Sequence, residues 1–147
     1  MLFCDKKVII MYNKNYKSKV KILDACLQII DLELINNLSS HNKSSIVKAF
    51  DDFEFNLLNL CEEYLAYNGL TPKDNLSTKQ IVEWFCKCEP KVKKYNNLLQ
   101  SMIELRSDKI RLFSFFNYYF KVETYLLNNY NELVNFVTDL RQIRFEI

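Results

Sequence analysis

Glycine and proline are nearly missing from this chain. One Gly and two Pro among 147 residues fall far below the usual share of about 7% and 5%. Gly-rich loops that cradle phosphates or dinucleotides therefore cannot be built. Long helices joined by few turns are the expected consequence. Histidine is equally scarce: His41 is the only one. It lies in the polar run Ser39-Ser40-His41-Asn42-Lys43, and no Ser or Cys near it in sequence suggests a catalytic dyad. Charge of one sign is lacking too. A net charge of +2 is too small to imply a nucleic-acid partner by itself. The five Cys include no CxxC pair. Cys86 and Cys88 are two residues apart, about 200° around a helix, which is a poor start for a metal site. No cofactor or metal is expected. An odd cysteine count and no secretory pattern point to a reducing, cytoplasmic setting. No apolar run is long enough for a membrane span.

What remains is apolar periodicity. The length suits one domain covering residues 1–147. Residues 1–17 carry Val8-Ile9-Ile10-Met11 and read either as a short strand or as the start of the first helix. Val20, Leu23, Leu27, Ile30 and Leu34 then mark a helix over 18–38. Ser44 or Ser45 is the expected cap of a second helix reaching Tyr67, with Ile46, Phe50, Phe53, Leu57, Leu60, Cys61 and Tyr64 on its buried face. Asn68-Gly69 should stop it. Ser77-Thr78-Lys79-Gln80 has the form of a capping box and opens a short helix carrying Ile81, Trp84, Phe85 and Cys88. A further helix is expected over 91–105.

The last helical stretch, 112–140, holds nine of the chain's 21 aromatic residues. Apolar positions 112, 116, 119, 126, 130, 133, 137 and 140 trace one helical face. Ser107-Asp108 is the expected cap, and Asn128-Asn129 marks a candidate break. Residues 112–120 are apolar nearly all round, which predicts burial on several sides. The fold class expected is all-α, a compact bundle of six to seven helices around this central hydrophobic helix. Phe50, Phe53, Leu57, Trp84 and Phe85 are the candidate partner-binding residues, lining a groove for a partner helix. Two lysine clusters, Lys14, Lys17, Lys19 and Lys21, then Lys87, Lys91, Lys93 and Lys94, read as solvated faces rather than a strong nucleic-acid signal.

Two resemblances add to this reading. Arg106-Ser107-Asp108-Lys109-Ile110-Arg111, then Phe115-Phe116 and Val122-Glu123-Thr124-Tyr125-Leu126, resembles the C-terminal helices of the poxvirus Bcl-2-like proteins. The early Leu23-Asp24 with Leu27, and the Gly-poor, Asn/Lys/Tyr-rich composition, are similar to that family as well. The resemblance implies a non-enzymatic protein that binds host apoptotic or immune-signalling proteins. A homodimer is a possible alternative assembly. The Asn-Trp-Gly-Arg motif of the cellular relatives is missing. Phe53-Glu54-Phe55, with Leu57 and Leu58, is similar to a run in the HEPN family, helical modules that accompany minimal nucleotidyltransferases. Their signature is an Arg followed a few residues later by a His. Arg106 is in place but Arg111 stands where the His belongs, so this second resemblance implies only a degenerate nucleotide-binding module.

Overall fold

The computed structural model describes residues 6–36, 41–70, 75–110 and 114–145. Five α-helices run in order: α1 (Lys6–Ile30), α2 (Lys43–Tyr67), α3 (Thr78–Cys88), α4 (Asn96–Ser107) and α5 (Phe115–Leu140). Among the described residues there is no strand. The all-α class stands, with five α-helices among the described residues where six to seven were expected. One of the expected helices was a second piece of the last one. The ambiguous segment before residue 18 is helical from Lys6 and continuous with the next helix. The last helix does not break at Asn128-Asn129. There Asn129 Nδ2 donates to Tyr125 O at 2.8 Å, so its side chain bonds back along the helix.

Local chemistry sets the helix ends. α1 passes into a π turn, Asp31–Ile35, closed by Asn36 N donating to Asp31 O at 2.9 Å. Asn42, not Ser44 or Ser45, caps α2: its side chain accepts from Ser45 N at 3.1 Å. α2 stops at Asn68-Gly69 as expected. Gly69 has φ +70, and Leu70 N donates to Leu65 O while Gly69 N donates to Ala66 O. That pair of bonds is the Schellman arrangement, which needs a left-handed residue that glycine supplies without Cβ strain. The capping box on α3 is complete: Gln80 N donates to Ser77 Oγ and Ser77 N donates to Gln80 Oε1. The helix expected over 91–105 begins only at Asn96, and α3 ends at Cys88 because Glu89 precedes Pro90 and takes an extended conformation (φ −111, ψ 107). A residue before proline is pushed out of the helical region. A 3-10 turn, Lys93–Tyr95, bridges to α4. Ser107 ends α4, so the cap of α5 is Ser114, which accepts from Asn117 N at 3.1 Å.

The helix at the centre is α2. It packs against each of the other four α-helices, and Phe50, Phe53, Leu57, Leu60, Cys61 and Leu65 are buried along it. α1 runs antiparallel to it: Tyr12 meets Tyr67, with ring centroids 5.2 Å apart, and Asn15 bonds Glu63 at 3.3 Å. α5 packs on α1, α2 and α4. Beyond α5 the chain folds back over α1. Ile143 and Phe145 are buried. The Phe145 ring sits among four tyrosines, with centroids 4.4 Å from Tyr67, 5.2 Å from Tyr16, 6.1 Å from Tyr12 and 6.2 Å from Tyr64. Among the described residues no helix is long and apolar enough to cross a membrane.

Candidate interaction surface

Four of the five residues expected to line a groove lie in the core. Phe50, Phe53, Leu57 and Phe85 are buried, and Trp84 is half-buried against them. The cause is the central place of α2. Its apolar stripe meets α5 on one side, where the Phe50 ring packs on Tyr118 and Tyr125. On the other side it meets α3, where Tyr64 and Phe85 stand 5.0 Å apart edge to face.

Apart from Phe55 on α2, 64% exposed, the exposed aromatics among the described residues lie on α5, in the stretch expected to be enclosed. Phe115, Phe116 and Phe120 are 43%, 59% and 54% exposed, and Leu127 is 54% exposed. Residues 116, 120 and 127 are separated by steps of 4 and 7, so they fall within about 40° of helix surface. They form a ridge about 16 Å long at 1.5 Å per residue. Tyr118, Tyr119, Val122 and Leu126 face inward. Leu112 and Phe113, also expected in this core, lie outside the described residues.

Tyrosine hydroxyls fix that orientation. Tyr118 donates to Asp51 Oδ1 at 2.8 Å, Tyr125 to Leu98 O at 2.8 Å and Tyr130 to Leu27 O at 3.2 Å. Tyr119 donates to Glu123 Oε2 at 2.6 Å and stands 3.3 Å from His41 Nδ1. A buried phenol needs such a partner, whereas a phenylalanine ring has no polar atom to satisfy. Within residues 115–120 the two tyrosines therefore occupy the inner face, where partners exist, and the three phenylalanines are left outside. Burial, followed by the bond to Asp51, raises the Tyr118 hydroxyl well above the ordinary phenol range.

Beneath the N-terminal end of α5 lies a polar cluster. Lys109 Nζ is 2.9 Å from Asp51 Oδ2, and Arg106 NH1 is 3.4 Å from Glu54 Oε2. Arg106 Nε lies 3.1 Å from Asp51 Oδ1, but its N–H is not aligned to make a hydrogen bond. We count that contact as an ion pair only. Burial lifts the Glu54 carboxyl to about 7, against the pull of Arg106 and with help from Asp51. Glu54, Lys79, Arg106 and Lys109 line a cleft of about 450 Å³ at the N-terminal end of α3. Arg111, the other residue of the degenerate Arg/His signature, lies outside the described residues.

Among the described residues the cysteines and the histidine do not meet. His41 contacts Tyr119 and Glu123. Cys26, Cys61 and Cys86 are buried. Burial pushes the Cys26 thiol up to about 11 and the Cys86 thiol up to about 12, and it raises the Cys61 thiol well above the ordinary range as well. Such thiols stay protonated, and the thiolate is the nucleophile. No group of three or more His, Cys, Asp or Glu able to hold a metal occurs among the described residues. No known protein family, curated protein or solved structure matches the chain. The α5 ridge is the arrangement best suited to function: a row of large apolar side chains held outward on a rigid helix.

Proposed function

We propose that this chain is a non-enzymatic helical interaction protein whose working surface is the α5 ridge of Phe116, Phe120 and Leu127, with Phe115 beside it. One observation carries the reading. Three phenylalanines of one helix are about half exposed, while tyrosines of the same helix anchor it from within. Large apolar side chains held in water at fixed spacing suit a partner's hydrophobic groove, since aromatic anchors supply most of the energy of such contacts. Phe115-Phe116 belongs to the stretch that resembles the poxvirus Bcl-2-like proteins. On that resemblance the bundle is Bcl-2-like, the partners are host apoptotic or immune-signalling proteins, and the site of action is the host cytoplasm. The test is recovery of such partners from host cells by the intact protein and by Phe116→Ser/Phe120→Ser. Loss of a specific partner with unchanged helicity supports the reading. Equal recovery by both proteins, or no partner from either pathway, refutes it.

The cleft around Arg106 supports a second reading, the degenerate HEPN-like nucleotide-binding module. Three cations face the opening where α3 begins, and a helix N-terminus favours anions. Titration with ATP that produces no signal, or a signal unchanged by Arg106→Ala, removes this alternative.

A further inference from the structure

The lysines of α1 become more than a solvated face once the end of the chain is placed. Lys14, Lys17 and Lys21 are exposed and follow steps of 3 and 4, so they form one row along α1. The row is about 10.5 Å long at 1.5 Å per residue. Arg144, far along the chain, lies beside it, and together they line a cleft of about 630 Å³ to which no carboxylate of the described residues contributes. The nearest acid along α1, Asp24, is held by Arg141 at 2.8 Å.

This meeting is built by specific contacts. Asn13 Nδ2 donates to Phe145 O at 3.1 Å, and Phe145 N donates back to Asn13 Oδ1 at 3.3 Å. Tyr16 donates to Leu140 O at 2.7 Å. Arg144 NH1 donates to the carbonyls of Arg141 and Ile143. Four cations are thus brought together with no partner acid among the described residues, against a net charge of only +2 for the whole chain. Mutual repulsion opposes such an arrangement unless an anion covers it.

We propose that the row Lys14, Lys17 and Lys21, together with Arg144, binds the phosphate backbone of a nucleic-acid duplex without reading its sequence. The row is as long as about three base-pair rises of 3.4 Å along the duplex axis. No exposed aromatic lines the cleft: Phe145 is buried, as are Tyr16 and Val20 beneath the row. Base stacking, which single strands require, therefore has no platform. A lipid surface is the weaker fit, because among the described residues that line the cleft Ile10 is the one exposed apolar group.

The test is fluorescence polarisation with a labelled duplex of about 24 base pairs and arbitrary sequence, at about 50 and 200 mM salt. With four phosphates neutralised, affinity should fall roughly 150-fold between those salts, from a slope of about −0.9 per phosphate. Lys14→Ala/Lys17→Ala/Lys21→Ala should bind weakly and retain only about a 3-fold salt effect. Alanine at exposed helix positions preserves the helix, and circular dichroism checks that it has. Lys121→Ala, on exposed α5 surface away from the cleft, should bind as the unmodified protein does. No duplex binding at the lower salt, wild-type affinity in the triple variant, equal loss in Lys121→Ala, or binding confined to vesicles rich in anionic lipid each overturns the proposal.

Discussion

Replacing two phenylalanines of one helix by alanine separates the ridge from the core. Phe136 and Phe120 both lie on α5, with exposures of 0% and 54%. Fully burying a Phe side chain stabilises by about 1.5–3 kcal/mol, and the cavity left by its removal raises the cost of Phe→Ala to about 3–5 kcal/mol. Phe136 packs edge to face on Tyr95, with centroids 5.3 Å apart, so the full range applies to Phe136→Ala. Phe120 has about half its surface in water already, which reduces its share to roughly 1 kcal/mol. Alanine's better helix propensity returns about half of that. Phe120→Ala, and Phe116→Ala by the same reasoning, should therefore change stability by no more than about 0.5 kcal/mol. Urea unfolding followed by circular dichroism reads the difference. In heating experiments Phe136→Ala should fall by roughly 10 °C, while Phe120→Ala stays within about 2 °C. A loss at Phe116 or Phe120 as large as at Phe136 would mean that α5 is enclosed, and would refute the orientation on which the ridge depends.

Tyr118→Phe removes a hydrogen bond to a carboxylate and should cost about 1.5–3 kcal/mol in urea unfolding. The lower end is expected, because Arg106 and Lys109 still face Asp51. Glu54 holds its proton more tightly when folded (about 7, against 4.5 for the free group), so stability should decline as pH rises from about 5 to 7. Glu54→Gln should flatten that slope in parallel unfolding curves, and an unchanged slope would clear Glu54 of the effect. Ser77→Ala removes the capping-box acceptor and should cost about 1 kcal/mol by urea unfolding. Gly69→Ala should also lose about 1 kcal/mol by the same measure, although no atom within 4 Å would meet the new Cβ, because φ +70 strains any L side chain. Iodoacetamide followed by mass spectrometry should modify half-buried Cys88 before Cys26, Cys61 and Cys86.

The helix ends that depend on near neighbours were legible from the sequence. Gly69 and the Ser77–Gln80 box need only residues within a few positions to work, and both function as expected. The inner face of α2 was legible too, since its stripe from Ile46 to Tyr64 is regular over about five turns. The outer face of α5 was not. The apolar face drawn through 116, 119 and 126 fails at Phe116, because residue 116 lies about 60° around the helix from residue 119. A run rich in both Phe and Tyr gives no periodic contrast, so only the hydroxyl partners Asp51, Leu98 O and Leu27 O decide which aromatics turn inward. All three partners lie on other helices. Arg144 beside the α1 lysines rests on the same kind of contact, with Asn13 and Phe145 separated by 132 positions.

That amide bridge between Asn13 and Phe145 also bears on the order in which the molecule assembles. α1 and α2 are neighbours in the chain and can pair early, since closing a short loop costs little entropy. Docking Phe145 among Tyr12, Tyr16, Tyr64 and Tyr67 closes nearly the whole chain into a ring, and long closures of this kind come late. The final segment is then the last to settle and the first to peel away, with exchange of the Phe145 amide hydrogen ahead of those within α2. Each time it peels, Arg144 leaves the lysine row, so the cationic cleft is present only while the two ends of the fold are joined.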